Sequence, residues 1–488
     1  MSTCRVIIVG GGAAGVAAAT RLVTNGFQNV TILEAGNRLG GRCNTVNIGE
    51  EAIDLGAQWI HGEKNNVVYE IAAPLGMTKR SSQSIGHSQF VRPNGENMNP
   101  EVASALYKLC EEIGHTASAP NSSTNLALSF GDVFLKRYDE GVKRLKEKSE
   151  FPQQDVDQFL ELYQKIINSL DAADTWFDTS MEGYHKYEEC EGDQDINWKS
   201  GGYSNQKIPG TKPEIQLNVL FGKEVTQIVR DQQVTVKCAD NMSYVADHVI
   251  VCVSLGVIKH NIRSMFSPQL PYRKFVAVNM LQFGVAEKLF LQFPQRWWPE
   301  DVSFFSFLLD SEFKEELKAA DKEWLAEVFT IWPLERANTT TLEGWVGGNA
   351  ARYISNLSDE TVRDDLYFLL KRYLSKSYTI PAPSKFSRSK WFGDPHFRGV
   401  YSSVPVKANV SRSSSEDLAA PIVDTSGKPI LMFAGEATHP NHFSTVHGAV
   451  ETGWREADRL IAFYKSSLPK TLKELTTESE KVDVKATT

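Results

Sequence analysis

Three glycines and a glutamate near the amino terminus have the spacing of a diphosphate cradle. Arg5–Val9, "RVIIV", has the composition of a buried strand, and Gly10, Gly12 and Gly15 follow it in "GGGAAG". "VAAATRLVTNG" then reads as a helix closed by Gly26, and a second apolar run, "NVTILEA", carries Glu34. In a strand–turn–helix–strand unit of this kind each residue has a physical task. Gly10 permits the tight turn, Gly12 lets the backbone approach a pyrophosphate, and Gly15 lets the helix pack on the strand. The helix amino terminus faces the phosphates, and an acid about 20 residues on accepts hydrogen bonds from a ribose. The fingerprint alone fits NAD or FAD.

A second turn follows the acid. "GNRLGGR", residues 36–42, puts two arginines beside paired glycines, and the forked donors of Arg42 suit a phosphate oxygen. At this point the chain resembles the flavin amine oxidase family, whose members place such a turn on the FAD diphosphate. "IDLGAQWIHGEKNNVVYEIA", residues 53–72, is similar to the animal polyamine oxidase branch, which holds spermine oxidase and N-acetylpolyamine oxidase. By that resemblance His61 lies at the substrate channel near the flavin. "FAGEATHPNHFSTVHGA", from Phe433 on, resembles the closing flavin motif of the family. It implies a strand ending at Phe433, a turn at Gly435 and Glu436 under the cofactor, and a helix capped by Ser444 or Thr445. The expected apolar side of that helix is Val446, Val450, Trp454, Ala457 and Ile461, with Gly448 and Ala449 allowing close approach. Its amino terminus favours negative charge on the reduced ring.

Two further positions follow from the resemblance. "FGVAEKLFLQF" is similar to the strand on which the family carries a lysine near the flavin, and Lys288 matches it. "WFGDPHFRGVYSSVP" resembles an aromatic stretch in which Tyr401 is the wall facing the flavin. Lys288, His61 and Tyr401 are the implied catalytic residues. Gly10, Gly12, Gly15, Glu34, Arg42, Val225, Gly435, Glu436, Thr445 and Val446 are the implied FAD contacts, with the cofactor held noncovalently. An acidic run, "YHKYEECEGDQD", suits a polycation, so Glu188 and Glu189 join His61, Tyr401 and Thr445 as substrate contacts.

These positions require an α/β chain. The expectation is a discontinuous Rossmann-type FAD-binding domain (1–80, 201–258 and 427–465) with a mixed α+β substrate-binding domain (81–200 and 259–426). The tail, 466–488, is charged, poor in aromatics and expected to be disordered. With 488 residues, 41% hydrophobic, the chain is long enough for such a core. A net charge of −8 disfavours nucleic acid and anionic membrane as partners, and no apolar run approaches a membrane span. Six scattered cysteines without a CxxC pair read as reduced thiols with no metal site. The ending "KVDVKATT" carries no peroxisomal tripeptide, so a soluble cytoplasmic location is expected.

The function implied is oxidation of acetylated polyamines, spermine or both at a secondary amine, with oxygen as acceptor. The products are an aldehyde, a shorter amine and hydrogen peroxide. An L-amino-acid oxidase of the same fold and a catalytically weak flavin-fold partner protein stay open as alternatives. The chain departs from the family pattern at Ser403, at Ala286 and in "SGGYSNQKIPGTKPEIQLN", where Pro209 and Pro213 leave no room for the usual short helix.

Overall fold

The computed structural model describes residues 4–117, 126–203, 216–231, 233–335 and 338–466. Most of the shortened segment, from 204 to 215, and the tail beyond 466 therefore lie outside the described residues.

Arg5–Val9 is the centre of a six-stranded sheet. Its neighbours are His248–Val251 on one side and Asn29–Leu33 on the other, both parallel to it. Asn218–Leu220 extends one edge, and Pro429–Phe433 with the antiparallel Ile422–Val423 extends the other. Strands buried on both faces need continuous apolar sequence, which "RVIIV", "HVIV" and "PILMF" supply. Ala13–Thr24 and the 21-residue helix Val446–Ser466 pack together on one face. Their contact is built from small residues. A Cβ on Gly453 would come within 2.2 Å of the Ala14 carbonyl oxygen. The first and last parts of the chain thus share one core, with Ile8, Ala18, Leu22, Ala457 and Leu460 inside it.

The buried side of the closing helix differs from the expected one. His447, Gly448, Thr452, Gly453, Glu456, Ala457, Leu460 and Ile461 are buried, whereas Val446, Val450 and Trp454 are half-buried. Gly453 and Gly448 win because the backbones approach too closely for branched side chains. Glu456 is fully buried because Arg455 and Arg459 both pair with it.

A second six-stranded sheet carries the rest. Ala286–Gln292 lies between Lys385–Arg388 and Thr341–Gly347, antiparallel to both, so Lys288 is on an interior strand. Thr330–Pro333, Phe304–Phe307 and Ser88–Val91 complete it. The helices Pro100–Ala117, Phe130–Lys146 and Gln153–Leu170 form a separate layer around Phe134, Tyr138, Phe159 and Trp176.

Candidate active site

One cavity of about 860 Å³ joins the glycine turn, the closing motif and Lys288. At its first end, Gly10 has φ +103°, a conformation that favours glycine, and a Cβ on Gly15 would lie 2.1 Å from the Gly10 carbonyl oxygen. Gly12 precedes the helix Ala13–Thr24 and provides no side-chain cap. The first helical N–H groups, at Ala13 and Ala14 in the cavity wall, are thus left for an anion. Glu34 accepts the Gly11 N–H and the Gly36 N–H, both at 2.7 Å, through different oxygens. That fixes the carboxylate while leaving lone pairs for ribose hydroxyls. Val225, at the start of its strand, lines the same end. An uncapped helix, a fixed acid and a glycine-lined groove fit an adenine dinucleotide.

The other end is held by Glu436. This buried carboxylate accepts Arg42 Nη1 at 2.9 Å, the Ser402 hydroxyl at 2.6 Å and the Ser444 N–H at 2.9 Å. Arg42 Nη1 also donates to the Val400 carbonyl. Arg42 and Glu436 are therefore bound to each other as well as lining the cavity. Gly435, with φ +126°, donates its N–H to Thr452. Thr445 is the cap, since its Oγ1 accepts the Gly448 N–H at 3.0 Å. Ser444 has φ +68° and donates to the Ser402 carbonyl instead. The Thr445 hydroxyl proton goes to His442 O, so toward a substrate it offers only an acceptor. Val446 and Ala449 face the cavity. Gly448 has another purpose than the expected one, because a Cβ there would lie 1.9 Å from His442 O.

Between the two ends stand the reacting-centre candidates. Lys288 Nζ lies 3.1 Å from Glu343 Oε1 and donates to Gln58 Oε1, over the faces of Trp59 and Trp345. Tyr401 lines the cavity, and its hydroxyl donates to the Ser169 carbonyl. Burial, with Asp171 nearby, pushes that phenol up. Tyr401 thus presents its ring, not a free hydroxyl. His61 Nδ1 is 2.7 Å from the Gln194 carbonyl. A carbonyl only accepts, so Nδ1 carries the proton and Nε2 is the basic nitrogen.

The acidic arm is made differently from the expected run. Glu189 lines the cavity, but Glu188 bonds Asn441, through its backbone N–H and its carboxylate, and does not line it. Glu191 pairs with Lys64 in solvent. Asp195, the last residue of that run, lines the cavity as well, joined by Glu111 and Asp171 from two other stretches. Burial pushes Asp171 up to about 6 against one hydrogen bond from Thr179, and burial also raises Glu111. Glu111 and Asp171 sit in or just after helices whose apolar periodicity gave no sign of a site.

A histidine cluster adjoins the flavin-facing turn. His439 and His442 stack at 4.7 Å, and both reach Glu451, at 2.9 and 2.8 Å. His447 lies 3.8 Å from Cys190 Sγ. Among the described residues these donors come close enough to hold a cation. Their polarity argues otherwise. His439 Nδ1 accepts two backbone N–H groups, and His447 Nδ1 accepts the Asn66 amide, whose oxygen caps a helix. The protons are then on Nε2, facing Glu451 and Cys190, whereas a ligand histidine donates from its second nitrogen. Burial, with His442 alongside, holds His447 down at about 3. Burial raises the Glu451 carboxyl, but the two histidine hydrogen bonds outweigh it and bring it to about 2.

The family profile described as "Flavin containing amine oxidoreductase" matches residues 13–461. "Peroxisomal N(1)-acetyl-spermine/spermidine oxidase" of Homo sapiens is 28% identical, with 94% of this chain and 95% of that one aligned. "Probable polyamine oxidase 5" of Arabidopsis thaliana is also 28% identical, over 94% and 98%. A solved double mutant of putrescine oxidase superposes with a TM-score of 0.68 at 20% identity, covering 94% of this chain and 99% of that one.

Proposed function

The chain belongs to the flavin containing amine oxidoreductase family, with FAD as its cofactor, and from that premise we propose that it is a polyamine oxidase. The observation that carries this reading is the single cavity in which a dinucleotide cradle, Lys288 and four carboxylates meet. Full-length likeness to named polyamine oxidases supports it.

When bound, FAD would supply the two-electron oxidation of the carbon beside a secondary amine, with oxygen as the final electron acceptor and peroxide as its product. The chain's own residues prepare that event. Gly10, Gly12, Gly15, Glu34 and Val225 hold the adenosine and diphosphate end. Gly435, Glu436, Thr445 and Val446 hold the ring end, with Arg42 bridging through Glu436. The substrate amine must be neutral to react. His61 Nε2 offers an acceptor for its proton, and the ring of Tyr401 disfavours the charged form by excluding water. Lys288 donates to a water or to the reacting centre. Water then adds to the imine carbon, and the carbon–nitrogen bond breaks to aldehyde and amine.

Glu111, Asp171, Glu189 and Asp195 receive the distal ammonium groups. Four carboxylates lining one cavity suit free polyamines better than acetylated ones, because acetylation removes a charge that they would pair. Among the described residues Arg42 is the one arginine lining the cavity, and it is bound to Glu436 and the Val400 carbonyl, which weighs against a carboxylate clamp for an amino acid substrate. No helix among the described residues is long and apolar enough to cross a membrane. The six cysteines form no disulfide with one another, which suits a reducing compartment such as the cytoplasm.

Peroxide release from purified protein, measured across spermine, spermidine, their acetylated forms and L-amino acids, tests the reading. Turnover of spermine above its acetyl derivative is expected. Turnover of amino acids alone would overturn it.

A further inference from the structure

Lys288 is surrounded by polar groups that fix its charge and its direction. Glu343 has no exposed side-chain surface, and the Lys288 side chain is 9% exposed. The two stand on neighbouring strands. Lys288 is opposite Trp345, and Glu343 is two residues along on the same face. A carboxylate buried this completely needs donors on both oxygens. Glu343 receives Lys288 Nζ and Trp345 Nε1 on Oε1, and Gln58 Nε2 at 3.1 Å on Oε2. Gln58 closes the ring, because its amide oxygen accepts from Lys288 while its NH₂ donates to Glu343. That arrangement also fixes which way the Gln58 amide points.

An ammonium has three donors. Two are directed at Gln58 and Glu343, which leaves one N–H for the cavity that Lys288 lines. The indole faces of Trp59 and Trp345, with centroids 5.5 and 5.0 Å from Nζ, accommodate a cation and offer no further hydrogen-bond acceptor.

We propose that Glu343, with Gln58, is a positioning residue that holds Lys288 as an ammonium ion with a single N–H aimed into the active-site cavity. Lys288 then serves as a fixed donor and positive charge, not as a proton acceptor. The assignment of an amine-oxidising cavity is the reading on which this rests, but the pair itself is testable without substrate.

The test uses the FAD-loaded protein in four forms: wild type, Glu343→Gln, Lys288→Met and the double variant. Each is followed by the visible spectrum of the bound flavin from about pH 6 to about pH 10, and by thermal unfolding. A buried ammonium deprived of its counter-ion loses its proton as pH rises. Glu343→Gln should therefore acquire a one-proton spectral titration that wild type lacks, and the titration should vanish in the double variant. Thermal unfolding should show coupling, with Glu343→Gln lowering the midpoint more than the double variant does. Should Glu343→Gln not fold, Glu343→Leu with Lys288→Met replaces the polar ring by apolar volume. Recovery of folding there also supports the pair. A flat spectrum in folded Glu343→Gln with additive midpoints overturns the proposal, as does a titration that persists without Lys288. If the spectra behave as expected but no polyamine is turned over, the substrate reading fails and the pairing stands.

Discussion

At the scale of single residues, the positions named from the chain line one cavity, except Glu188 and Gly15, the latter packed against Gly10 and Ile8. What sequence could not supply was the partner of each. Lys288 is recognisable on an apolar strand, but Gln58 and Glu343 lie 285 positions apart and meet only when two sheet strands and a loop converge. The same limit explains the acidic arm. A dense acidic run is legible, whereas Glu111 lies within one helix and Asp171 at the end of another, and only the fold brings both to the cavity. Replacing Lys288 by Met should slow turnover strongly with flavin still bound, and a wild-type rate at saturating polyamine would reassign it to structure. Neutralising Glu111, Glu189 and Asp195 together should lower kcat/KM for spermine several-fold at low salt. The deficit should shrink as salt screens it. An equal deficit at all salt concentrations would mean that the carboxylates shape the cavity without attracting the cation.

One buried histidine outside the cavity gives a pH prediction. His248 donates from Nδ1 to the Pro429 carbonyl and accepts the Tyr464 hydroxyl at Nε2. Burial brings it down to about 4. Between that value and the ordinary 6.5, the unfolded chain binds a proton that the native chain does not. Stability is therefore complete above about pH 6.5 and falls as pH drops toward 4, by up to about 3 kcal/mol for such a shift. His447 acts in the same direction. Thermal midpoints measured from neutral pH downward should decline across this window, and His248→Gln should flatten the slope.

At the scale of elements, strand–turn–helix units were readable because a βαβ crossover needs glycine at fixed places. The closing helix was readable in position, but in face only at Ala457 and Ile461, which are buried as expected. Apolar periodicity pointed to Val446, Val450 and Trp454, while close approach of backbones decided for Gly448, Thr452 and Gly453. Gly448→Ala makes this testable. Its Cβ would collide with His442 O, so a loss of about 1–3 kcal/mol is expected. A neutral effect in denaturant titration would show that the histidine loop yields freely.

At the scale of the whole molecule, the first and last segments build one sheet face and line one cavity, and the second sheet brings Lys288 to it. The glycine fingerprints made that long-range closure legible, because each end is incomplete as a dinucleotide site. The depth and acidity of the cavity were not legible, since they depend on how the helical layer meets the second sheet. Cys252 is the last cysteine in the sequence, so no thiol follows it for a covalent flavin bond near the closing motif. Acid precipitation should release all flavin into the supernatant, and yellow colour left in the pellet would contradict noncovalent binding.

The central claim is that this one cavity oxidises a polycationic amine with bound FAD. Anaerobic mixing of the purified yellow protein with spermine, followed at the flavin absorbance maximum, tests it most directly. The account predicts bleaching of the bound flavin, return of the colour with peroxide on admitting oxygen, and slower bleaching with acetylated spermine. Flavin that stays yellow with every polyamine at saturating concentration would contradict it.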